Sequence, residues 1–496
     1  MEHLMNVFQP LNLLLMNVGV AVGIIFGALP GLSGGVAVVM FLPFTFYMDP
    51  IPGISLLLGM YCGSMFGGSI TAILLKTPGT ASAAATVADG YALNCQGKPN
   101  KALTMALVAS TLGGLFSTFM LIFFSPYLAS AALKFGPTEY FALALFGLSI
   151  IAGVSTGDIF KGIGMGCLGM LVAMIGMDPL DGVQRLSFDN LNLIGGIDLV
   201  PATIGLFALA EMFNKSAKGL KKAEVSSIDK KNTEDRLTVK EFKPTIPTIL
   251  KGSVIGTIIG AIPGTGAAIA AFISYNEARR ASKTPEEFGN GSLDGIAAAE
   301  SANNAVTGST LIPMLSLGVP GDVVAAIMMG AFLLHGMTPG PGMFTHHLDV
   351  VYGIMGSLLL INLFMLVQGK LFTRAFANVN KVPMELLLPT VFLLCVVGVY
   401  SSNNSMFDVY LILGFGAIAY LAGQFSLPTA PMLLGIILGP MAEKNFRNAL
   451  ILSGGDYSVF VRYPISLIFL LITVATFVLF ILKDMKKNKK TVSDKK

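Results

Sequence analysis

Long apolar runs, such as residues 103–124 and 463–482, constrain this chain more than any other feature. They have the roughly 17–25 residues that a helix needs to cross a hydrocarbon core, and they are too long for barrel strands. In lipid a backbone must satisfy its own hydrogen bonds, so only helices or closed barrels span it. Composition removes the soluble alternative. Of 496 residues, 54% are hydrophobic and 12% charged, against about 25% charged in soluble domains. The mean hydropathy is +0.74, and no water-compatible surface can be built from so few charges. The expectation is an all-α polytopic membrane protein of about ten to twelve crossings plus two hairpins.

Several classes drop out. No G-x-x-x-x-G-K-[ST] loop is present, so this chain is not expected to drive transport with ATP. There is no H-E-x-x-H metal motif and no convincing Ser-His-Asp set, so it is not expected to be an enzyme. Cys62, Cys95, Cys167 and Cys395 lack metal spacing and read as buried apolar residues. His346 and His347 are adjacent, and read as a loop pair before a ligand pair. No cofactor, bound metal other than a coupling sodium, or nucleic-acid partner is expected. The net charge of +4 is spread over loops and tails. The start, MEHLMNVFQP, has no basic segment and does not read as a cleaved signal peptide.

Lys and Arg near membrane ends mark the cytoplasmic side. Residues 215–250 hold Lys218, Lys221, Lys222, Lys230, Lys231, Arg236, Lys240 and Lys243, and read as a cytoplasmic basic linker. Residues 483–496 read as a cytoplasmic lysine-rich tail. Lys98 and Lys101, Arg279, Arg280 and Lys283, and Lys370, Arg374 and Lys381 mark further inside loops. Residues 335–349 and 401–408 contain neither Lys nor Arg and are placed outside. The stretch 425–460 stays open. A crossing near 428–440 puts Glu443, Lys444 and Arg447 outside, against the charge rule; the alternative is a second re-entrant segment.

The linker separates two related halves, 1–214 and 251–482. GVAVGIIFGALPG at 19–31 recurs as GSVIGTIIGAIPG at 252–264. A second pair, ILLKTPG at 73–79 and LSLGVPG at 315–321, follows after a short insertion in the second half. Pro137-Thr-Glu139 and Pro383-Met-Glu385 form a third. Basic residues flank both ends of 250–275, so that segment reads as a re-entrant hairpin turning at Pro263-Gly264-Thr265-Gly266. Segment 17–48 has no basic flank and reads as a hairpin entering from outside. The halves are then inverted repeats, a recurrent plan of secondary transporters.

Pro-Gly inside an apolar helix breaks it, because proline removes a donor and glycine permits positive φ. The freed N–H groups of the next half-helix favour an anion, and the break belongs in a protein-enclosed cavity. The candidate substrate-binding residues are therefore the four breaks and their neighbours: Pro30, Gly31, Leu32 and Ser33; Thr77, Pro78, Gly79 and Thr80; Pro263, Gly264, Thr265 and Gly266; and Pro320 and Gly321, with Asn303 and Asn304. Each Pro-Gly alone can be a simple kink; four, paired across two halves, favour a central site. Glu300, Asp322 and Asn303 are candidates for coupling a proton or sodium ion. A wet helix end is the competing reading for both carboxylates. Asp89 reads as a structural cap. Valine at Gly31 or Gly264 is expected to abolish transport but not membrane insertion. A channel would share the repeats but would not accumulate substrate.

At these motifs the chain resembles the large membrane subunit of tripartite tricarboxylate transporters (TctA-type). GALPGLSGG, YCGSMFGGSITAILLKTPGTASAAATVADGYAL, GAIPGTGAAIAAFISYNEARR, FGNGSLDGIAAAESANNAVTGSTLIPMLSLGVPGD, HGMTPGP and PTAPMLLGIILGPMAEKNFRNALILSGGD carry the resemblance in order. It implies an elevator-type plan and ion-gradient-driven transport of citrate or other tri- and dicarboxylates across the bacterial inner membrane. It also implies a small four-helix membrane subunit and a periplasmic solute-binding protein; a stand-alone carboxylate carrier is the alternative. Lys76 departs from the family, which more often has a small polar residue there. It either reaches the cavity or snorkels to the cytoplasmic face.

Overall fold

The computed structural model describes residues 6–29, 33–154, 159–218, 235–378 and 384–493. The helices that matter here are, in chain order, α1 (Pro10–Ala28), α2 (Gly34–Phe41), α3 (Pro50–Leu75), α4 (Val87–Cys95), α5 (Pro99–Ala132), α6 (Pro137–Val154) and α7 (Ile159–Ala173). They continue with α8 (Ile246–Gly260), α9 (Gly266–Ala281), α10 (Leu293–Ser309), α11 (Leu311–Leu317), α12 (Val323–Leu334) and α13 (Leu348–Asn378). The last are α14 (Met384–Asn403), α15 (Met406–Gln424), α16 (Ala430–Leu452) and α17 (Pro464–Ser493). Among the described residues the only strands are a two-residue antiparallel pair, β1 (Gly176–Met177) and β2 (Gln184–Arg185). The chain is an all-α polytopic membrane protein.

Six described helices are long and apolar enough to cross a membrane: Pro10–Ala28, Pro50–Leu75, Pro99–Ala132, Leu348–Phe372, Glu385–Asn403 and Met406–Gln424. Four shorter apolar helices accompany them. That is fewer full-length spans than the ten to twelve expected from segment lengths. Breaks and loops divide several apolar stretches into pieces: α8 has 15 residues and α9 has 16, about 22–24 Å each, short of a roughly 30 Å core.

The chain divides into two compact units, and each takes a piece from both sides of the linker. Unit 1 is Met1–Ala129 with Asn214–Ser402; unit 2 is Ser130–Phe213 with Asn403–Lys496. In unit 1, α3 is the axis, buried from Ile51 through Leu74. A helix apolar on all sides belongs in an interior. Lipid offers no hydrophobic drive between helices, so small residues and backbone contact must hold them. Along α1, a Cβ on Gly19, Gly23 or Gly27 would come within 2.3, 2.3 and 2.2 Å of the carbonyl oxygens of Leu56, Met60 and Ser64 of α3. From α3, a Cβ on Gly63 or Gly67 would come within 2.5 and 2.4 Å of Val20 O and Ile24 O. The second half repeats the device. Gly252, Gly256 and Gly260 of α8 lie against Ser301 Oγ, Ala302 O and Ser309 Oγ of α10, with 2.2, 2.3 and 2.1 Å for a Cβ. The glycines matched by sequence thus seal α1 to α3 and α8 to α10.

In unit 2, α16 packs along α6 and α7, and α17 along α6. Gly169 of α7 and Gly435 of α16 make the close approach, against Met432 O and Gly166 O. The stretch that sequence leaves open folds as one 23-residue helix, α16, with Pro440 inside it. Its Arg447 bonds Asp178 (2.6 Å) and Asp181, while Arg185 bonds Asp178 and Glu443 (2.5 Å). Glu443 and Arg447, which strained the charge rule, are members of one ion-pair cluster, while Lys444 is exposed. The Leu180 amide, helped by Arg447 and Arg185, holds the Asp178 carboxyl down at about 2.

The cysteine expectation needs correction. Cys62 and Cys395 are buried, but Cys95 and Cys167 are exposed. Cys95 ends α4 at a polar turn, and Cys167 lies on an outward face of α7. Of the segments singled out by sequence, Pro30, Gly31, Leu32, Pro383, linker residues 219–234 and tail residues 494–496 lie outside the described residues.

Candidate functional site

The three breaks among the described residues fall between helices as the Pro-Gly pairs require, and the first lies outside the described residues. Beyond it, Ser33 stands at the N-cap position of α2, exposed and without a side-chain cap bond. The second follows α3, which ends at Lys76 in the left-handed region (φ 58°). Thr77 is exposed and donates to Leu75 O (3.3 Å). Gly79 N donates to Gly68 O (3.2 Å). A Cβ on Gly79 would sit 1.9 Å from Gly27 O, so the chain folds back under the α1–α3 contact. Thr80 is buried, its Oγ1 3.1 Å from Ser82 Oγ.

The third break joins α8 to α9. Gly264 and Gly266 take positive φ (83° and 71°), which glycine adopts without a Cβ clash. Thr265 Oγ1 lies within donating distance of Ile259 O (2.5 Å) and Ile262 O (2.9 Å), and its one hydrogen adds to the turn bonds from Ile262 N to Ile259 O and from Thr265 N to Ile262 O where Pro263 supplies no N–H. The fourth break lies between α11 and α12, with Pro320 and Gly321 buried. Gly264 N donates to Gly321 O at 2.7 Å, so the third and fourth breaks are bonded to each other. A Cβ on Gly321 would come within 2.6 Å of Gly260 O. Gly27 and Gly260 match in the repeat, as do Gly79 and Gly321, and the two halves pack alike at these points.

The half-helices beyond the breaks then pair crosswise. Helix α2 packs on α12, with Gly35 facing Ile327 and Val324. Helix α9 packs on the turn Ala81–Thr86 and on α10, through Ala271, Ala85 and Ala299. Each half thus sets its first half-helix against the segment that follows the other half's second break.

Between α3 and α10 runs a file of buried polar groups. At one end Glu300 is fully buried; its Oε1 accepts from Ser69 Oγ (2.6 Å) and Thr86 Oγ1, and its Oε2 from Ser110 Oγ (2.9 Å). One turn along, the Asn303 amide donates to Met65 O (3.4 Å), while its Oδ1 and both polar atoms of Asn304 have no protein partner. At the other end Asp322 caps α12: Oδ1 accepts from Ala325 N (2.7 Å) and Oδ2 from the buried Tyr61 hydroxyl (2.5 Å). No described residue forms an ion pair with either carboxylate. Among the described residues no three His, Cys, Asp or Glu side chains gather. A cation in this file would rest on one carboxylate with hydroxyl and amide oxygens. Unmatched amides are costly in an apolar interior, and here they adjoin a buried carboxylate.

The geometry thus brings Gly79, Thr80, Gly264, Asn303, Asn304, Gly321 and Asp322 into one interior region, and leaves Ser33 and Thr77 at its exposed edges. Sequence reasoning missed Tyr61, Ser69, Thr86 and Ser110. They are single hydroxyls in glycine- and alanine-rich helices, with no spacing that links them to Glu300 or Asp322. Lys76 does not enter the file: it is exposed, with its ammonium 5.5 Å from the centre of the Tyr91 ring. Asp89 is a structural cap in geometry. It is fully buried, and Oδ1 accepts from the N–H groups of Gly289 (2.7 Å), Gly291 (3.0 Å) and Ser292 (2.8 Å), Oδ2 from Tyr275 (2.8 Å).

Spanning helices interrupted at paired breaks around a buried polar file define a multi-pass membrane transporter. The chain belongs to the tripartite tricarboxylate transporter TctA family, whose model matches residues 13–434. It is 35% identical over 484 residues to an "Uncharacterized 52.8 kDa protein in TAR-I ttuC' 3'region" of Agrobacterium vitis, covering 97% of this chain and 96% of that one. An "Uncharacterized protein in TAR-II ttuC' 3'region" of the same organism is 36% identical over 237 residues, 48% of this chain and 98% of its own. No solved structure matches.

Proposed function

We propose that this chain is the translocating subunit of an ion-gradient-driven carrier for small carboxylates, citrate among them, in the bacterial inner membrane. In this reading the two halves are inverted repeats, the paired breaks hold the anion, and Glu300 or Asp322 carries the coupling proton or sodium ion. The observation that carries the reading is the file between α3 and α10. It ends in a buried carboxylate without a counter-charge at either side, and unmatched amides stand between. A buried carboxylate without a cation is costly, so a site of this kind favours occupancy by a cation, and break-tip N–H groups favour an anion beside it. The crosswise pairing of half-helices supports the inverted arrangement. Family membership supports partnership with a small membrane subunit and a periplasmic binding protein.

The test is uptake of labelled citrate into proteoliposomes, with the chain alone and then with both partners, under a sodium gradient, a proton gradient or none. Accumulation under one gradient only is the expected result, and it identifies the ion. Equilibration without accumulation under every gradient, partners included, would sink the carrier reading in favour of a channel.

A further inference from the structure

Away from the polar file, unit 1 carries a cavity of about 500 Å³ lined by Asn100, Leu103, Thr104 and Leu107 of α5, by Asp235, Arg236 and Leu237, and by Lys370 and Leu371 of α13. Two features fix its walls. The segment bearing Arg236 is tied to the start of α5: Asp235 Oδ1 accepts from Lys101 N (3.0 Å), and Glu241 accepts from Lys101 Nζ (2.7 Å). Glu241 also closes a capping box with Thr238. On the other wall, Gly369 lies against Leu107, with 2.5 Å left for a Cβ, and this close approach brings the neighbouring Lys370 to the first turns of α5. Asp235 is buried and already engaged. Arg236 and Lys370 are exposed, and no described residue pairs with either. Beside Lys370 the edge of the cavity carries one outward-facing leucine, Leu371, 68% exposed.

Two cations without an ion-pair partner among the described residues, lining one cavity with the outward-facing Leu371 at the end of helices expected on the cytoplasmic side from Lys98, Lys101 and Lys370, describe an amphipathic ligand. We propose that this cavity is a binding site for the phosphate headgroup of an anionic phospholipid, with Arg236 and Lys370 on the phosphate and Leu371 against the acyl chains. Arginine chelates a phosphate through two N–H groups and lysine adds a point charge. Basic pockets between spanning helices on the cytoplasmic side suit such headgroups. A soluble phosphate shares the headgroup chemistry but gains nothing from Leu371.

The experiment uses the full-length chain purified in a neutral detergent, with native mass spectrometry counting retained lipid after addition of phosphatidylglycerol, phosphatidylcholine or glycerol phosphate. The wild type is expected to retain phosphatidylglycerol at least about tenfold over phosphatidylcholine, a discrimination of about 1.4 kcal/mol. The double variant Arg236→Gln/Lys370→Gln loses that preference, Lys370→Arg keeps it, and Arg280→Gln, a surface charge elsewhere, leaves it unchanged. Equal retention of the two lipids, or equal loss in Arg280→Gln, overturns the proposal. Displacement of the lipid by millimolar glycerol phosphate also overturns it, because the site would then belong to a soluble phosphate. None of these readings depends on transport, so they stand or fall apart from the carrier reading.

Discussion

Asp89 and Glu300 are both fully buried carboxylates of unit 1, and their donors differ in kind. Asp89 takes three backbone N–H groups from the loop that leads into α10 and a phenol from α9. Removing it orphans three amides at once, so Asp89→Ala is expected to cost about 3–5 kcal/mol and to lower the temperature at which the detergent-solubilised chain loses its monodisperse peak; Asp89→Asn should cost less. Glu300 takes three side-chain hydroxyls from three different segments. Hydroxyls rotate and can turn a lone pair inward when a cation arrives, whereas amides cannot. Glu300→Gln keeps the size and removes the charge. It should leave the fold intact and lower ion-driven uptake at least about tenfold, or about 1.4 kcal/mol, with uptake assayed beside melting to separate the two effects. Uptake within twofold of wild type would remove Glu300 from the coupling role. Asp178 in unit 2 is held near 2 in the folded state, below the usual range near 4. A depressed carboxyl contributes stability that is complete above the unfolded value and lost as pH falls through the folded one. The Arg185–Asp178–Arg447 cluster is therefore expected to be indifferent to pH from neutrality down to about 4 and to weaken between about 4 and 2. A melting series of wild type against Asp178→Asn, converging only in that window, checks it.

At the scale of elements, the glycine-bearing helices were the most legible part of the chain. The repeat of Gly19, Gly23 and Gly27 as Gly252, Gly256 and Gly260 is plain in the sequence, and the structure uses those glycines to pack α1 on α3 and α8 on α10. The breaks were legible too, because proline and glycine act on their own backbone and need no partner to be understood. Partners across the fold were not legible. Nothing local ties Tyr61 to Asp322, or Ser69, Thr86 and Ser110 to Glu300, since those contacts join residues hundreds of positions apart. The exposure of Cys167 escaped because an apolar residue on an outward helix face and one facing the interior look alike in sequence, and that of Cys95 because the end of α4 was not marked. A β-carbon at Gly23 would meet Met60 O at 2.3 Å, with backbone on both sides and no side chain to yield. Gly23→Ala is expected to insert in the membrane at wild-type levels yet destabilise the α1–α3 contact by about 1–3 kcal/mol. Gly414→Ala, where no atom lies within 4 Å of the added carbon, should be silent in the same thermal assay.

At the scale of the whole molecule, charge placement gives an expectation of which loops face which side, and exposed residues make it testable. Cys95 is exposed close to Lys98, on a loop expected inside, and Thr345 is exposed on a loop expected outside. A membrane-impermeant maleimide should label Cys95 in inside-out vesicles and not in intact cells stripped of their outer membrane. A cysteine placed at Thr345 should give the opposite pattern. Labelling of both from one side would remove the basis for inverted halves. The division into two units, each assembled from both halves, was not visible in the sequence, where the basic linker is the only boundary that composition marks. Glycine seams within each unit, such as Gly23 on Met60 and Gly435 on Gly166, join segments far apart or unremarkable in sequence.

The seam between α1 and α3 has one more consequence. Its contacts run from main chain to main chain, so what it requires of the sequence is a set of vacancies at fixed intervals and almost nothing about the identity of the residues in between. Those intervening positions are free to follow the lipid, the neighbouring helix or chance, and the two helices will still meet at the same depth and register. A joint of this sort behaves like a machined slot: it is indifferent to the finish of the parts around it, and it jams on a single added atom.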